Sequence, residues 1–115
     1  MFGGTARMVD IKQLFYGRTA NKKALADFGF TKSGSGYKYS QSILNGQFQL
    51  NITVEGESVT AQVYDNEAES EYFLHTVESA EGAFVGEVRA EYDRVLYDLS
   101  KRCFSRAVVY REMTT

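Results

Sequence analysis

Residues 37–54 read Tyr37-Lys38-Tyr39-Ser40-Gln41-Ser42-Ile43-Leu44-Asn45-Gly46-Gln47-Phe48-Gln49-Leu50-Asn51-Ile52-Thr53-Val54, and they decide the fold. Alternating residues flank Asn45-Gly46. A type I′ hairpin turn needs positive φ at both central residues, which Asn tolerates and Gly adopts freely. A two-residue turn there sets Ile43 beside Phe48, Gln41 beside Leu50, Tyr39 beside Ile52 and Tyr37 beside Val54 on one face. The other face receives Leu44/Gln47, Ser42/Gln49, Ser40/Asn51 and Lys38/Thr53. After a loop at residues 55–58, a third strand from Val59 adds Val54/Val59, Ile52/Ala61 and Leu50/Val63 to the first face. Thr53/Thr60, Asn51/Gln62 and Gln49/Tyr64 join the second. Two independent turns thus predict one buried face, and a slip of one residue would turn every side chain over.

Working outward, the acidic loop at residues 65–70 leads to a fourth strand over residues 71–76, with Tyr72, Phe73 and Leu74. Ser79 reads as the N-cap of a helix over residues 80–104. Glu81 and Glu87 near its start, and Lys101 and Arg102 near its end, suit the helix dipole. Its stripe of Phe84, Val85, Val88, Tyr92, Val95, Leu96, Leu99 and Cys103 recurs at spacings of three and four and predicts a helix lying on the apolar sheet face. Gly86 inside it costs about 1 kcal/mol relative to Ala, which predicts a close approach or a bend there. Before the hairpin, residues 9–16 suit one or two helical turns. Asn21 caps a short helix over residues 22–28 that Gly29 closes, and Ser33-Gly34-Ser35-Gly36 reads as a loop. The expected fold is α+β: an antiparallel three- to four-stranded meander covered on one face by a long C-terminal helix and short N-terminal helices. It occupies residues 1–115 as one domain, with residues 1–9 and 106–115 as tails.

The composition agrees with a single core: 115 residues, 43% hydrophobic and 24% charged. A lone cysteine, Cys103, cannot form an internal disulfide, and residues 1–4 show no apolar leader, so the expected location is the cytoplasm. No stretch approaches the roughly 20 apolar residues of a membrane helix. The net charge of −2 hides an asymmetry. Arg7, Lys12, Arg18, Lys22, Lys23, Lys32 and Lys38 precede residue 40, and Arg89 is the next basic residue. Nine carboxylates and no cation lie between. The basic residues are spread along the sequence and read as a solvated face.

Few residues carry chemistry. His75 is the sole imidazole, so a small enzyme or ligand-binding domain would rest on it alone; a half-exposed strand-end histidine is the plainer reading. Cys103 sits on the apolar stripe and reads as core. Asp65, Glu67, Glu69 and Glu71 alternate as calcium ligands do, but lack the Gly and bidentate Glu of an EF-hand loop. The glycines match neither a phosphate loop nor a dinucleotide fingerprint. The sequence assigns no catalytic, cofactor or metal residue, and the expectation is a protein that is not an enzyme. What it offers is the second sheet face: Ser40, Ser42, Gln47, Gln49, Asn51, Thr53, Thr60, Gln62 and Tyr64. Tyr64 could stack a base, yet a nucleic-acid reader adds positive charge and only Lys38 supplies it here, so a protein-docking or merely solvated face is a plainer reading than a DNA-binding one. A homodimer through this face or a free strand edge is a further expectation.

The run Gly82-Ala83-Phe84-Val85-Gly86-Glu87-Val88-Arg89-Ala90-Glu91-Tyr92, continuing to Leu99-Ser100-Lys101-Arg102-Cys103-Phe104, resembles the amino-terminal region of bacterial MmcQ/YjbR-like proteins of the YyaQ-like kind. Phe28-Gly29-Phe30, Tyr37-Lys38-Tyr39-Ser40 and Ile43-Leu44-Asn45-Gly46-Gln47-Phe48 fit the same pattern, so the resemblance spans roughly residues 10–104. It implies the α+β fold and a bacterial source. Members of that group are described as uncharacterised or as DNA-binding, a description attached mainly to a second, carboxy-terminal domain. The stretch after Phe104 diverges from that pattern, so the expectation is that the DNA-binding description does not transfer to these residues, and the resemblance carries no catalytic residue onto them.

Overall fold

In the computed structural model, which describes residues 9–72 and 84–106, five strands form one antiparallel meander: β2 (Thr31–Ser33), β3 (Gly36–Ile43), β4 (Phe48–Glu55), β5 (Ser58–Asp65) and β6 (Ser70–Glu71). A second sheet pairs β1 (Arg18–Ala20) with β7 (Phe104–Arg106). The helices are α1 (Ile11–Phe15), α2 (Lys22–Phe28) and α3 (Val85–Cys103). The architecture is the expected α+β one, with more strands. Residues 33–36 were expected as a loop; in the structure only Gly34 and Ser35 turn, Ser33 closes β2 and pairs with Gly36, and Thr31 and Lys32 lie in a strand that the sequence did not announce.

Both expected registers hold. Tyr37↔Val54, Tyr39↔Ile52, Gln41↔Leu50 and Ile43↔Phe48 align β3 with β4, and Leu50↔Val63, Ile52↔Ala61 and Val54↔Val59 align β4 with β5. The turn itself differs. Asn45 and Gly46 take the positive φ the motif requires (57° and 89°), but Leu44 does so as well at 55°, making residues 44–47 a four-residue loop. Leu44 therefore leaves the outer face and packs against the core instead. The loop at residues 55–58 shrinks to two, because Glu55 pairs with Ser58 across Gly56-Glu57.

Ile43, Phe48, Leu50, Ile52, Val54, Val59 and Val63 form the floor of the core. The roof is the expected stripe of α3, with Val88, Leu96 and Leu99 fully buried. Each such side chain contributes about 1.5–3 kcal/mol by leaving water. At one end Phe84 and Tyr72 clasp Phe48, with ring centroids 5.6 and 4.7 Å away. At the other, Phe28, Phe30 and Tyr39 pack together at 5.1–5.8 Å.

Helix α2 begins as expected: Asn21 Oδ1 accepts the Ala24 N–H at 2.9 Å, and Gly29 at the C-cap donates back to Ala26 and Leu25. Helix α3 starts at Val85 with Phe84 in the cap position and no side-chain cap. Ser79, Glu81, His75, Phe73 and Leu74 lie outside the described residues. Gly86 does not make the close approach that was one of its two expected reasons. It is exposed in the first turn of α3, and a methyl there would meet nothing within 4 Å. Val9 and Arg106, expected within the tails, join the fold: Val9 is buried with its N–H on Asp93 Oδ1 at 2.9 Å, and Arg106 pairs with Arg18.

Candidate interaction face

Alternation in β3, β4 and β5 sends every second side chain away from α3, and the registers align these residues in rows. Ser42, Gln49, Tyr64 and Glu71 form one row; Ser40, Asn51 and Gln62 form the next. Thr31, Lys38, Thr53 and Thr60 form a third, lengthened by β2. Eight of the nine expected residues thus share a face. Gln47 does not sit in a row: it lies in the 44–47 loop, where its carbonyl accepts the Asn66 N–H at 2.9 Å. Ser40, Ser42, Thr60 and Gln62 are exposed, while Gln49, Asn51, Thr53 and Tyr64 are half-buried by their neighbours.

Asn51 is at the centre. Ser40 Oγ donates to its Oδ1 at 2.7 Å and Gln49 Nε2 does so at 3.1 Å. With the oxygen used twice, the amide N–H groups are what Asn51 has to offer a ligand. The charges on this surface stand at its margins: Lys38 beside β2, Glu71 in β6, and Glu55 at the end of β4, which accepts from Ser35 Oγ. The centre carries hydroxyl and amide groups and no formal charge.

The fold also gathers cations that the sequence scatters. Asn21 N–H donates to Cys103 O at 2.8 Å, which sets the start of α2, with Lys22 and Lys23, against the end of α3, with Lys101 and Arg102, and an Arg18 guanidinium nitrogen reaches Ser100 O at 3.4 Å. Asp98, paired with Arg102 at 3.2 Å, offsets part of that charge. No local pattern in the sequence could have shown this end, because its members come from both termini of the described chain.

The other candidates are structural. Cys103 is buried, its Sγ donates to Ala24 O at 3.3 Å, and burial pushes its thiol pKa up. In the acidic loop, Asp65 Oδ1 accepts the N–H groups of Glu67 and Ala68 at 3.0 and 3.2 Å, so this carboxylate holds its own turn. Among the described residues no three His, Cys, Asp or Glu side chains gather as metal ligands would, and no helix is long and apolar enough to cross a membrane. Comparison with protein-family models, with curated proteins and with solved structures finds no match.

Proposed function

We propose that this chain is a non-enzymatic accessory or protein-interaction domain that presents its outer sheet face to a protein partner. The observation that carries the reading is the contrast between the two faces of one sheet. One is filled by α3, and the other is a polar, nearly uncharged surface whose exposed Ser40, Ser42, Thr60 and Gln62 surround Asn51. Such a face gains little from electrostatic steering and suits hydrogen bonding to a partner of matching shape. A photo-cross-linking residue at Gln62 should yield discrete adducts with another protein in cells, and one at Glu57 should not. Asn51→Lys should abolish the adducts; equal labelling from both positions would overturn the reading.

A second reading, DNA binding of the MmcQ/YjbR type in a bacterial cytoplasm, is favoured by the cations gathered at the end of α3. Gel-shift titrations with duplex and single-stranded DNA at two salt concentrations separate the two. Phosphate-driven binding weakens steeply with salt and with Lys22→Glu plus Lys101→Glu, whereas absence of a shift at low salt removes this reading. Catalysis through His75 is the third reading, and His75→Ala tests it once a substrate class is known.

A further inference from the structure

Strand β2 pairs with β3 only at Thr31↔Lys38, Lys32↔Tyr37 and Ser33↔Gly36, so among the described residues no strand lies on that side of residues 39–43. The hydrogen-bond phase of the sheet tells which backbone groups this leaves. Tyr72 N–H donates to Val63 O at 2.8 Å and Asn66 N–H to Gln47 O at 2.9 Å, so odd-numbered residues of β5 face β6 and odd-numbered residues leading into β4 face β5. Successive residues in an antiparallel strand direct their N–H and C=O groups to opposite sides. Even-numbered residues of β4 therefore face β3, and their odd-numbered partners in β3 face back. Ser40 and Ser42 are left with both backbone groups aimed at the open edge.

Sheets protect such edges with short strands, charge or proline. The margins at β2 and β6 conform: three residues with Lys32, and two ending in Glu71. Residues 39–43, Tyr-Ser-Gln-Ser-Ile, contain no charge, proline or glycine, and they read nearly the same in both directions about Gln41. On the side of α3 nearest this edge, Glu91, Arg94, Asp98 and Arg102 alternate in sign, with exposed pairs Arg94–Glu91 at 2.7 Å and Arg102–Asp98 at 3.2 Å. Their placement follows from Arg102, which lies 5.0 Å over the Phe28 ring, itself 5.1 Å from Tyr39.

We propose that residues 39–43 are the seam of a homodimer, in which β3 pairs antiparallel with β3 of a second copy about a two-fold axis at Gln41. Ser40 of each copy then meets Ser42 of the other, and all their outward N–H and C=O groups are satisfied by four backbone hydrogen bonds. The same axis sets the α3 helices antiparallel, so that Arg94 faces Asp98 of the second copy and Glu91 faces its Arg102. An alternating line of charge is self-complementary in that arrangement, as an isologous interface requires. The seam uses the sheet's edge and leaves the outer face open, so it stands independently of the reading above.

Sedimentation equilibrium of the full chain tests this. The wild type should reach twice its 13.0 kDa mass in the micromolar range. Ser42→Pro removes one outward N–H per copy, two of the four seam bonds, without touching the β4 ladder, and should raise the dimer dissociation constant by about 30-fold or more with an unchanged circular dichroism spectrum. Arg94→Glu should weaken the dimer, and adding Asp98→Arg should restore it; this pair decides the matter if the proline variant misfolds. Gln62→Lys on the outer face should leave the dimer intact. A wild type that stays at 13.0 kDa overturns the seam. So does a folded Ser42→Pro that dimerises as tightly as wild type, an Arg94→Glu defect that Asp98→Arg does not relieve, or a dimer dissolved by Gln62→Lys.

Discussion

Two glycines in this chain should respond to the same substitution with opposite signs. Gly36 opens β3, is buried, and sits so close to β4 that a Cβ added to it would lie 2.6 Å from the Val54 carbonyl oxygen and 3.3 Å from Glu55 Cβ. The nearest atom belongs to backbone, so a methyl can be accommodated only by parting the β3–β4 ladder at Tyr37↔Val54 or by moving the Ser35–Glu55 contact. Overpacking of this kind costs about 2–3 kcal/mol. Gly86 lies in the first turn of α3 with open space around its Cβ, and there Ala should gain about 0.5 kcal/mol, because helix propensity acts with nothing to oppose it. With a urea slope of about 1–2 kcal/mol per M, Gly36→Ala should lower the unfolding midpoint by about 1–3 M and Gly86→Ala should raise it by a few tenths, with the slope unchanged in both. A Gly36→Ala variant as stable as wild type would mean that β3 and β4 do not approach as described, and the register and the seam built on it would fall together.

Three further outcomes concern titration and capping. Tyr92 is buried, which pushes its phenol from 10.0 to about 12; the unfolded chain ionises first, so its contribution is intact below pH 10 and is lost as the pH rises to 12. Alkaline unfolding should therefore show a component on the order of 2 kcal/mol that is missing from Tyr92→Phe. Asp93 has its carboxyl pKa raised by burial, against the opposing pull of the Val9 N–H and Arg89, so the folded state holds its proton longer and stability falls as pH rises from the ordinary value of 3.8 through the raised one. Asp93→Asn keeps an acceptor for Val9 and should flatten that acid-side slope; a slope that persists would locate it elsewhere. Asn21→Ala removes the cap on Ala24 N–H and should cost about 1 kcal/mol by thermal denaturation, with Asn21→Asp recovering most of it.

What could be read from the sequence was what two-residue and 3.6-residue periods encode. The β3–β4 and β4–β5 registers followed from alternation and turns only a few residues long, and the buried stripe of α3 from its spacing. Strands of three residues carry no period. For that reason β2 went unannounced, its last residue falling within the expected loop, and β1 and β7 gave no signal at all, their partners lying at opposite ends of the described chain. Gly86 misled because propensity registers only that a glycine is unfavourable in a helix; it does not register whether the reason is packing or merely the looseness of a first turn. Leu44 misled for the opposite reason: turn chemistry named Asn45 and Gly46, while burial drew the neighbouring leucine into a backbone conformation its side chain disfavours.

The candidate face exposes a deeper asymmetry between reading a fold and reading a site. Alternation makes residues such as Phe48, Leu50 and Ile52 informative because burial admits few substitutes, yet the same alternation asks of Gln49, Asn51 and Thr53 only that they be polar. A solvated strand face and a hydrogen-bonding docking face therefore look alike in sequence. They differ in how the side chains restrain one another, as where Ser40 and Gln49 both donate to Asn51 and fix which of its groups points outward. The edge differs in kind again. Its information lies in backbone phase, since one residue's shift in the β3–β4 pairing would turn the free donors of Ser40 and Ser42 inward and those of Tyr39, Gln41 and Ile43 outward. An edge that pairs with itself is thus written in the register of the whole sheet, and residues 39–43 acquire meaning only once β4, β5 and β6 have set that phase.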